Sequence, residues 1–248
     1  MYGWRGNIGL MVPSSDRTSE MDFRVLSPEG VAVYASRMTL YETDDPQEKF
    51  NALRMMDAEI PQAARRLADV KPDLIAFCCT TGSFLKGPGT DEKIIKVIKD
   101  ETGIDAITTT TALVQAIRQF DVSSIDLLTP YNVEIGEIAE KYLTDVIDGL
   151  TVQNHHDLGI VSGLAKCKVP PSEIYEHAKR IASASSDALV ISCTALQCVS
   201  IIDALEQDLG KPVITSNLAT VWLALKTMGI GEHYVGKGQL LGRIGQAE

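Results

Sequence analysis

Two cysteines stand out by where they sit. Cys79 closes the run Asp73-Leu-Ile-Ala-Phe-Cys-Cys79 and is followed by Thr80, Thr81 and Gly82; Cys193 closes Asp187-Ala-Leu-Val-Ile-Ser-Cys193 and is followed by Thr194 and Ala195. A buried strand ending in this way delivers a sulfur to its carboxyl end, beside the free N–H groups of the next turn. A thiol so placed is expected to have a lowered pKa, with thiolate available near neutrality. Two such groups on opposite faces of one carbon can remove a proton from one side and return it on the other. Alternatively, one thiolate can add to a double bond, permit rotation about the resulting single bond, and leave. Either route places negative charge on an adjacent carboxylate or its enediolate. Thr80, Thr81 and Thr194 with their amides, and the hydroxyl of Tyr131, are neutral donors suited to that charge.

The two cysteine runs are the clearest part of an internal repeat. The stretch from Asp73 through Thr102-Gly-Ile-Asp-Ala-Ile-Thr108 corresponds to that from Asp187 through Leu209-Gly-Lys-Pro-Val-Ile-Thr215. Cys79 and Cys193 are 114 positions apart, whereas Gly103 and Gly210 are 107 apart. The first copy therefore carries seven extra residues between Cys79 and Gly103. The loop from Ser83 to Thr90, with its glycines and proline, is where such an insertion is expected. If the copies are related by a pseudo-two-fold axis, Cys79 and Cys193 face each other at the carboxyl ends of strands, where open α/β sheets bind ligands.

The elements that must carry these residues alternate. Apolar runs predict strands at Asn7–Pro13, Val31–Ser36, Asp73–Cys79, Ala106–Thr108, Ser124–Thr129, Thr151–Leu158, Leu189–Ser192 and Pro212–Thr215. Helical spacing predicts helices over 46–70, from Thr90 to Thr102, and over 109–120, 134–147, 171–185, 201–209 and 218–228. Alternation of this kind points to a parallel sheet covered on both faces. Ser14, Ser15 and Asp16 follow the first strand in a turn rich in donors and acceptors, which can cap a helix or line a site.

Composition excludes several classes. The chain of 248 residues has 45% hydrophobic and 23% charged residues and a formal net charge of −10, with no Lys/Arg cluster for a nucleic-acid backbone. It shows no basic-then-apolar leader and no apolar run long enough for a bilayer, so a cytoplasmic protein without membrane partners is expected. Five cysteines, two of them adjacent, argue for reduced thiols. Four histidines lack the paired short spacings of a zinc site, and Gly3, Gly6 and Gly9 precede and enter a strand instead of following it, so neither a metal nor a dinucleotide cofactor is expected.

Val12-Pro-Ser-Ser15, Cys79-Thr-Thr-Gly-Ser-Phe84, Thr129-Pro-Tyr131 and Ser192-Cys-Thr194 together resemble the aspartate/glutamate racemase superfamily, in the branch of maleate cis-trans isomerases and arylmalonate decarboxylases. The resemblance runs over nearly the whole chain. It implies two similar flavodoxin-like (Rossmann-like) three-layer α/β domains with parallel sheets, residues 1–112 with 217–248 forming one and 113–216 the other, and a site between them. It further implies a cofactor-independent enzyme acting on a small carboxylic acid. Cys79 and Cys193 would be the catalytic pair; Ser14, Ser15, Asp16, Thr80, Thr81, Tyr131, Thr194 and Ala195 would bind substrate. Arylmalonate decarboxylases typically have glycine at the position of Cys79, so two cysteines favour an isomerase or racemase. A decarboxylase with Cys193 as proton donor and a non-catalytic carboxylate-binding protein are the alternatives. Maleate isomerases usually have asparagine at the positions of Asp16 and near Gly163; an aspartate at the first suits a substrate ammonium. The sequence is compatible with a homo-oligomer.

Overall fold

The computed structural model describes residues 2–231 and 237–244. The first half runs β1 (Gly6–Pro13), α1 (Ser19–Leu26), β2 (Val31–Met38), α2 (Pro46–Met55), α3 (Ile60–Ala68), β3 (Leu74–Phe77), α4 (Thr80–Phe84), α5 (Thr90–Thr102), β4 (Ala106–Thr108) and α6 (Thr109–Gln119). The second runs β5 (Ser124–Thr129), α7 (Val133–Val146), β6 (Thr151–Asp157), α8 (Gly163–Lys166), α9 (Pro171–Ile181), β7 (Ala188–Ile191), α10 (Ile202–Leu209), β8 (Val213–Thr215) and α11 (Ser216–Thr227). The expected strands are all present. α1, α4 and α8, which are short and lack a long apolar stripe, had no clear periodic signal.

The repeat is visible in the topology. The sheets have orders β2-β1-β3-β4 and β6-β5-β7-β8, and every pairing is parallel. β3 and β7 are inner strands of four fully buried residues each, Leu-Ile-Ala-Phe and Ala-Leu-Val-Ile. Helices cover both faces of such sheets, so the central strands read as continuous apolar runs without alternation. Each half thus forms a three-layer α/β unit of the expected kind.

Two details differ from the sequence reading. The helical segment 46–70 is broken into α2 and α3 by a single 3-10 turn, Met56–Glu59, because Pro61 lacks an N–H for helical pairing and sits at the start of α3. The seven extra residues of the first copy do not all lie in the 83–90 loop. α5 has 13 residues and α10 has 8, so five of the seven lengthen the helix, which extends more cheaply than a buried turn.

The halves meet through α6 and α11, which pack against each other directly after β4 and β8. Thr108 and Thr215 cap the two helices in the same way, each hydroxyl accepting from the amide three residues on, Thr111 and Leu218. Across the contact Thr220 Oγ1 donates to Thr109 Oγ1 at 3.2 Å. α11 also packs against α1, and every residue from Ser216 to Leu225 is buried. A helix enclosed on all sides is apolar nearly all round; the exceptions in this segment are the hydroxyls of Ser216 and Thr220, the Asn217 amide and Trp222 Nε1.

Truncation in α11 should be costly for that reason. Leu218→Ala, at a fully buried position, is expected to lose about 2–5 kcal/mol in urea unfolding. Val25→Ala, on the 56% exposed face of α1, should stay within about 0.5 kcal/mol. Equal effects would show that α11 is not the enclosed element described.

Candidate active site

β3 and β7 end on the same side of the molecule, and the cleft between the halves opens there. Cys79, Thr80, Thr81, Cys193, Thr194, Ala195, Tyr131, Ser15 and Asp16 all line it, so nine of the ten residues singled out from sequence converge. Ser14 does not. It is exposed, and its hydroxyl accepts from the Leu40 amide at 3.1 Å, tying the turn after β1 to the segment after β2. Cys78 is fully buried, does not line the cleft, and directs its Sγ to the Ala76 carbonyl at 3.6 Å.

Each sulfur sits at the first turn after its strand. Ala195 N lies 3.4 Å from Cys193 Sγ, and the Gly82 amide similarly approaches Cys79. Gly82 leaves room there. A Cβ on it would meet Met56 Cε at 2.8 Å and Cys79 Sγ at 3.2 Å, closing the sulfur's space. The amides of Thr80 and Thr81 find no acceptor among the described residues. Thr80 itself turns its hydroxyl to Ser216 Oγ at 3.1 Å, so its amide is what remains for a ligand. The Tyr131 hydroxyl is fully buried beside Thr81 and Cys193 without a well-formed hydrogen bond to either. A buried, unsatisfied hydroxyl is costly unless something fills the cleft.

The expectation of lowered thiol pKa values is corrected by the surroundings. Burial pushes Cys79 up to about 12, with the Gly82 amide opposing and the neighbouring Cys193 adding to the rise. Burial also raises Cys193, opposed chiefly by the Lys166 ammonium and then by the Ala195 amide. Both are thiols at neutral pH in the free protein, and each disfavours ionisation of the other, so one thiolate forms at a time.

Asp16 lines the cleft with its carboxylate oxygens engaged within the turn. Its Oδ1 accepts from the amides of Thr18 (2.8 Å) and Ser19 (2.9 Å), and its Oδ2 accepts from Ser19 Oγ (2.6 Å). Burial raises its pKa, opposed by these bonds from Ser19 and Thr18. Its carboxylate caps the start of α1, and Arg37, donating to the Ser14 and Asp16 carbonyls at 3.2 and 2.7 Å, holds the turn. The Cys193 turn is held from both halves: Thr18 Oγ1 of the first half donates to the Ala195 carbonyl (2.9 Å), and Asn217 Nδ2, at the start of α11, donates to the Thr194 carbonyl (2.9 Å) and to Asp22 Oδ2 of the first half (2.7 Å).

The sequence reading missed two cleft lysines. Lys49 is 3% exposed and Lys166 7% exposed. Lys49 pairs with Glu42 at 3.2 Å, and Glu42 also accepts from Ser162 Oγ at 2.9 Å, linking the loop after β2 to α8. Partial burial would raise the Glu42 carboxyl, but bonds from Ser15 and Ser162 and the Lys49 charge hold it below its usual value. Gly163 makes room for this clasp, since a Cβ there would lie 2.8 Å from Glu42 Oε1 and 2.9 Å from Ser15 Oγ. A periodic signal existed for Lys49, which shares the buried stripe of Leu53, Met56 and Ile60 at helical spacing. Lys166 had none, because α8 is a single turn.

Two α/β units thus bring a thiol from each half into one buried cleft, and relatives of the chain are isomerases and decarboxylases. Residues 8–241 match the model of the arylmalonate decarboxylase family, and the chain belongs to that family. It is 28% identical to a maleate isomerase of Pseudomonas putida, over 94% of this chain and 96% of the relative. It is 26% identical to the arylmalonate decarboxylase of Bordetella bronchiseptica, over 68% and 70%. Among solved structures, the Nocardia farcinica maleate cis-trans isomerase with a covalently bound succinylcysteine intermediate superposes with a TM-score of 0.88, at 22% identity over 96% of this chain and 98% of that one.

Because both thiols are buried and protonated, alkylation by iodoacetamide at pH 7 should be at least about tenfold slower at Cys79 and Cys193 than for free cysteine, and should accelerate as pH rises toward 9. Peptide mass analysis of a time course reads this directly. Rapid labelling of either at pH 7 would contradict the electrostatics described.

Proposed function

We propose that the protein is a cofactor-independent cis-trans isomerase of a small unsaturated dicarboxylic acid of the maleate type. The observation that carries the reading is that Cys79 and Cys193, from equivalent strand ends, open onto one cleft with neutral donors beside them. One sulfur, on losing its proton to water, which returns it at the end of the cycle, bonds to an alkene carbon. The π pair moves to the neighbouring carbon and is delocalised into its carboxylate as an enediolate, where the amides of Thr80 and Thr81 and the hydroxyl of Tyr131 oppose the charge. The second thiol supplies a proton to that carbon and takes it back after rotation about the single bond. The double bond then reforms and the first thiolate leaves, so atoms and charge balance over the cycle.

The surroundings weigh against the other readings. An amino-acid racemase would have to place an ammonium beside Lys49 and Lys166, and the oxygens of Asp16 already accept from Thr18 and Ser19. An aryl group would have to lie against the same two buried lysines. The relatives are consistent with this: four maleate isomerases match over 94–96% of this chain.

Conversion of maleate to fumarate, followed by proton NMR, tests the proposal. Cys79→Ser and Cys193→Ser are each expected to lower turnover at least about 100-fold. Release of carbon dioxide from an arylmalonate that survives Cys79→Ser and disappears in Cys193→Ser would establish the decarboxylase instead. No turnover of either acid would leave a binding protein.

A further inference from the structure

The cleft wall carries an ammonium that forms no ion pair with a carboxylate among the described residues. Lys166 lies on α8 and is 93% removed from solvent, yet no carboxylate lies within ion-pair distance of its Nζ among the described residues. Its Nζ stands 4.9 Å above the centroid of the Tyr131 ring, whose own hydroxyl is buried and unpartnered. The charged and titratable groups facing it are Cys193, Lys49, Cys79 and Glu42. Glu42 is committed to Lys49, Ser162 and the Leu164 amide, and Asp16 to Thr18 and Ser19. The two thiols are protonated at neutral pH. Lys49 is compensated by Glu42, so the uncompensated cation of the cleft is Lys166.

A buried ammonium without a counter-ion is expensive, and the cost is recovered only when an anion arrives with it in the same desolvated space. Burial accordingly lowers the pKa of Lys166, with the charge that Cys193 would carry opposing the shift. The cleft is small, with an empty volume of about 460 Å³ including its open mouth, so an entering acid is brought close to Lys166 and to the Tyr131 hydroxyl together. Gly163 offers no side-chain donor on this wall, which leaves the ammonium as its charged one.

We propose that Lys166 is the specificity-determining residue of the cleft: its ammonium binds one carboxylate of the substrate directly, while the second rests on the neutral donors around Tyr131 and Thr81. The inference rests on the proposed function only in that the same cleft takes the acid; it does not require isomerisation. A dicarboxylate satisfies both ends at once, whereas an acid with one carboxylate and one neutral group leaves either the ammonium or the neutral donors without their anion.

Succinate, which has no double bond to isomerise, and succinamate, in which one carboxylate is an amide, provide the test by isothermal titration. The wild-type protein is expected to bind succinate at least about tenfold more tightly than succinamate. In Lys166→Met that preference should fall to twofold or less, and Lys166→Arg should retain most of it. Thermal unfolding checks that Lys166→Met is folded; if it is not, Lys166→Gln gives the same ratio with a neutral polar group. Equal binding of the two acids by the wild type, or an unchanged preference in the neutral variant, overturns the proposal. Unchanged preference with maleate turnover intact removes Lys166 and leaves the isomerase. A Lys166-dependent preference in a protein that turns over no acid removes the isomerase and leaves Lys166.

Discussion

The packing of α6 against α11 is the constraint on which the site depends. Each helix begins at the residue after its strand, β4 or β8, so the contact between them fixes how the two sheets face each other. Parallel strands in each sheet all end on one side, and joining the halves through equivalent helices sets those ends opposite one another. One hydrogen bond then joins the halves at this point, from Thr18 to the Ala195 carbonyl, and with the bond from Asn217 at the start of α11 to the Thr194 carbonyl it holds the Cys193 turn.

Closing the halves also sets the electrostatics. Taken out of water, both thiols keep their protons, and every carboxylate at the cleft acquires donors of its own: Asp16 the start of α1, Glu42 its lysine and two serines. The effect is a cleft poor in free negative charge and rich in neutral donors, with two ammonium groups in its wall. A desolvated site of this sort gains most from an anion, because screening by water is weak there.

The two copies serve different ends where they diverge. Strand ends, caps and central helices are duplicated, and they supply the paired sulfurs and their amides. Lys49 and Lys166 come from α2 and α8, which follow the equivalent strands β2 and β6 but differ in length and sequence. Gly163, Ser15 and Glu42 join these dissimilar pieces across the mouth. Symmetry thus pairs the two sulfurs, and less similar pieces of the two halves supply the charged walls of the cleft.

By itself the sequence determined the strands, most helices, the repeat and the convergence of nine site residues, because buried parallel strands and helix caps leave local signals: apolar runs, a hydroxyl before a helix, a glycine after one. It also carried Lys49 in plain view on an apolar stripe. Tertiary structure alone decided the rest. Whether Asp16 meets a ligand or a helix start depends on where Thr18 and Ser19 point, and the thiol pKa values depend on how much water the opposite half removes. Lys166 lies on one turn of helix with no pattern to mark it, and its lack of a carboxylate partner among the described residues follows from how the distant segments pack around it.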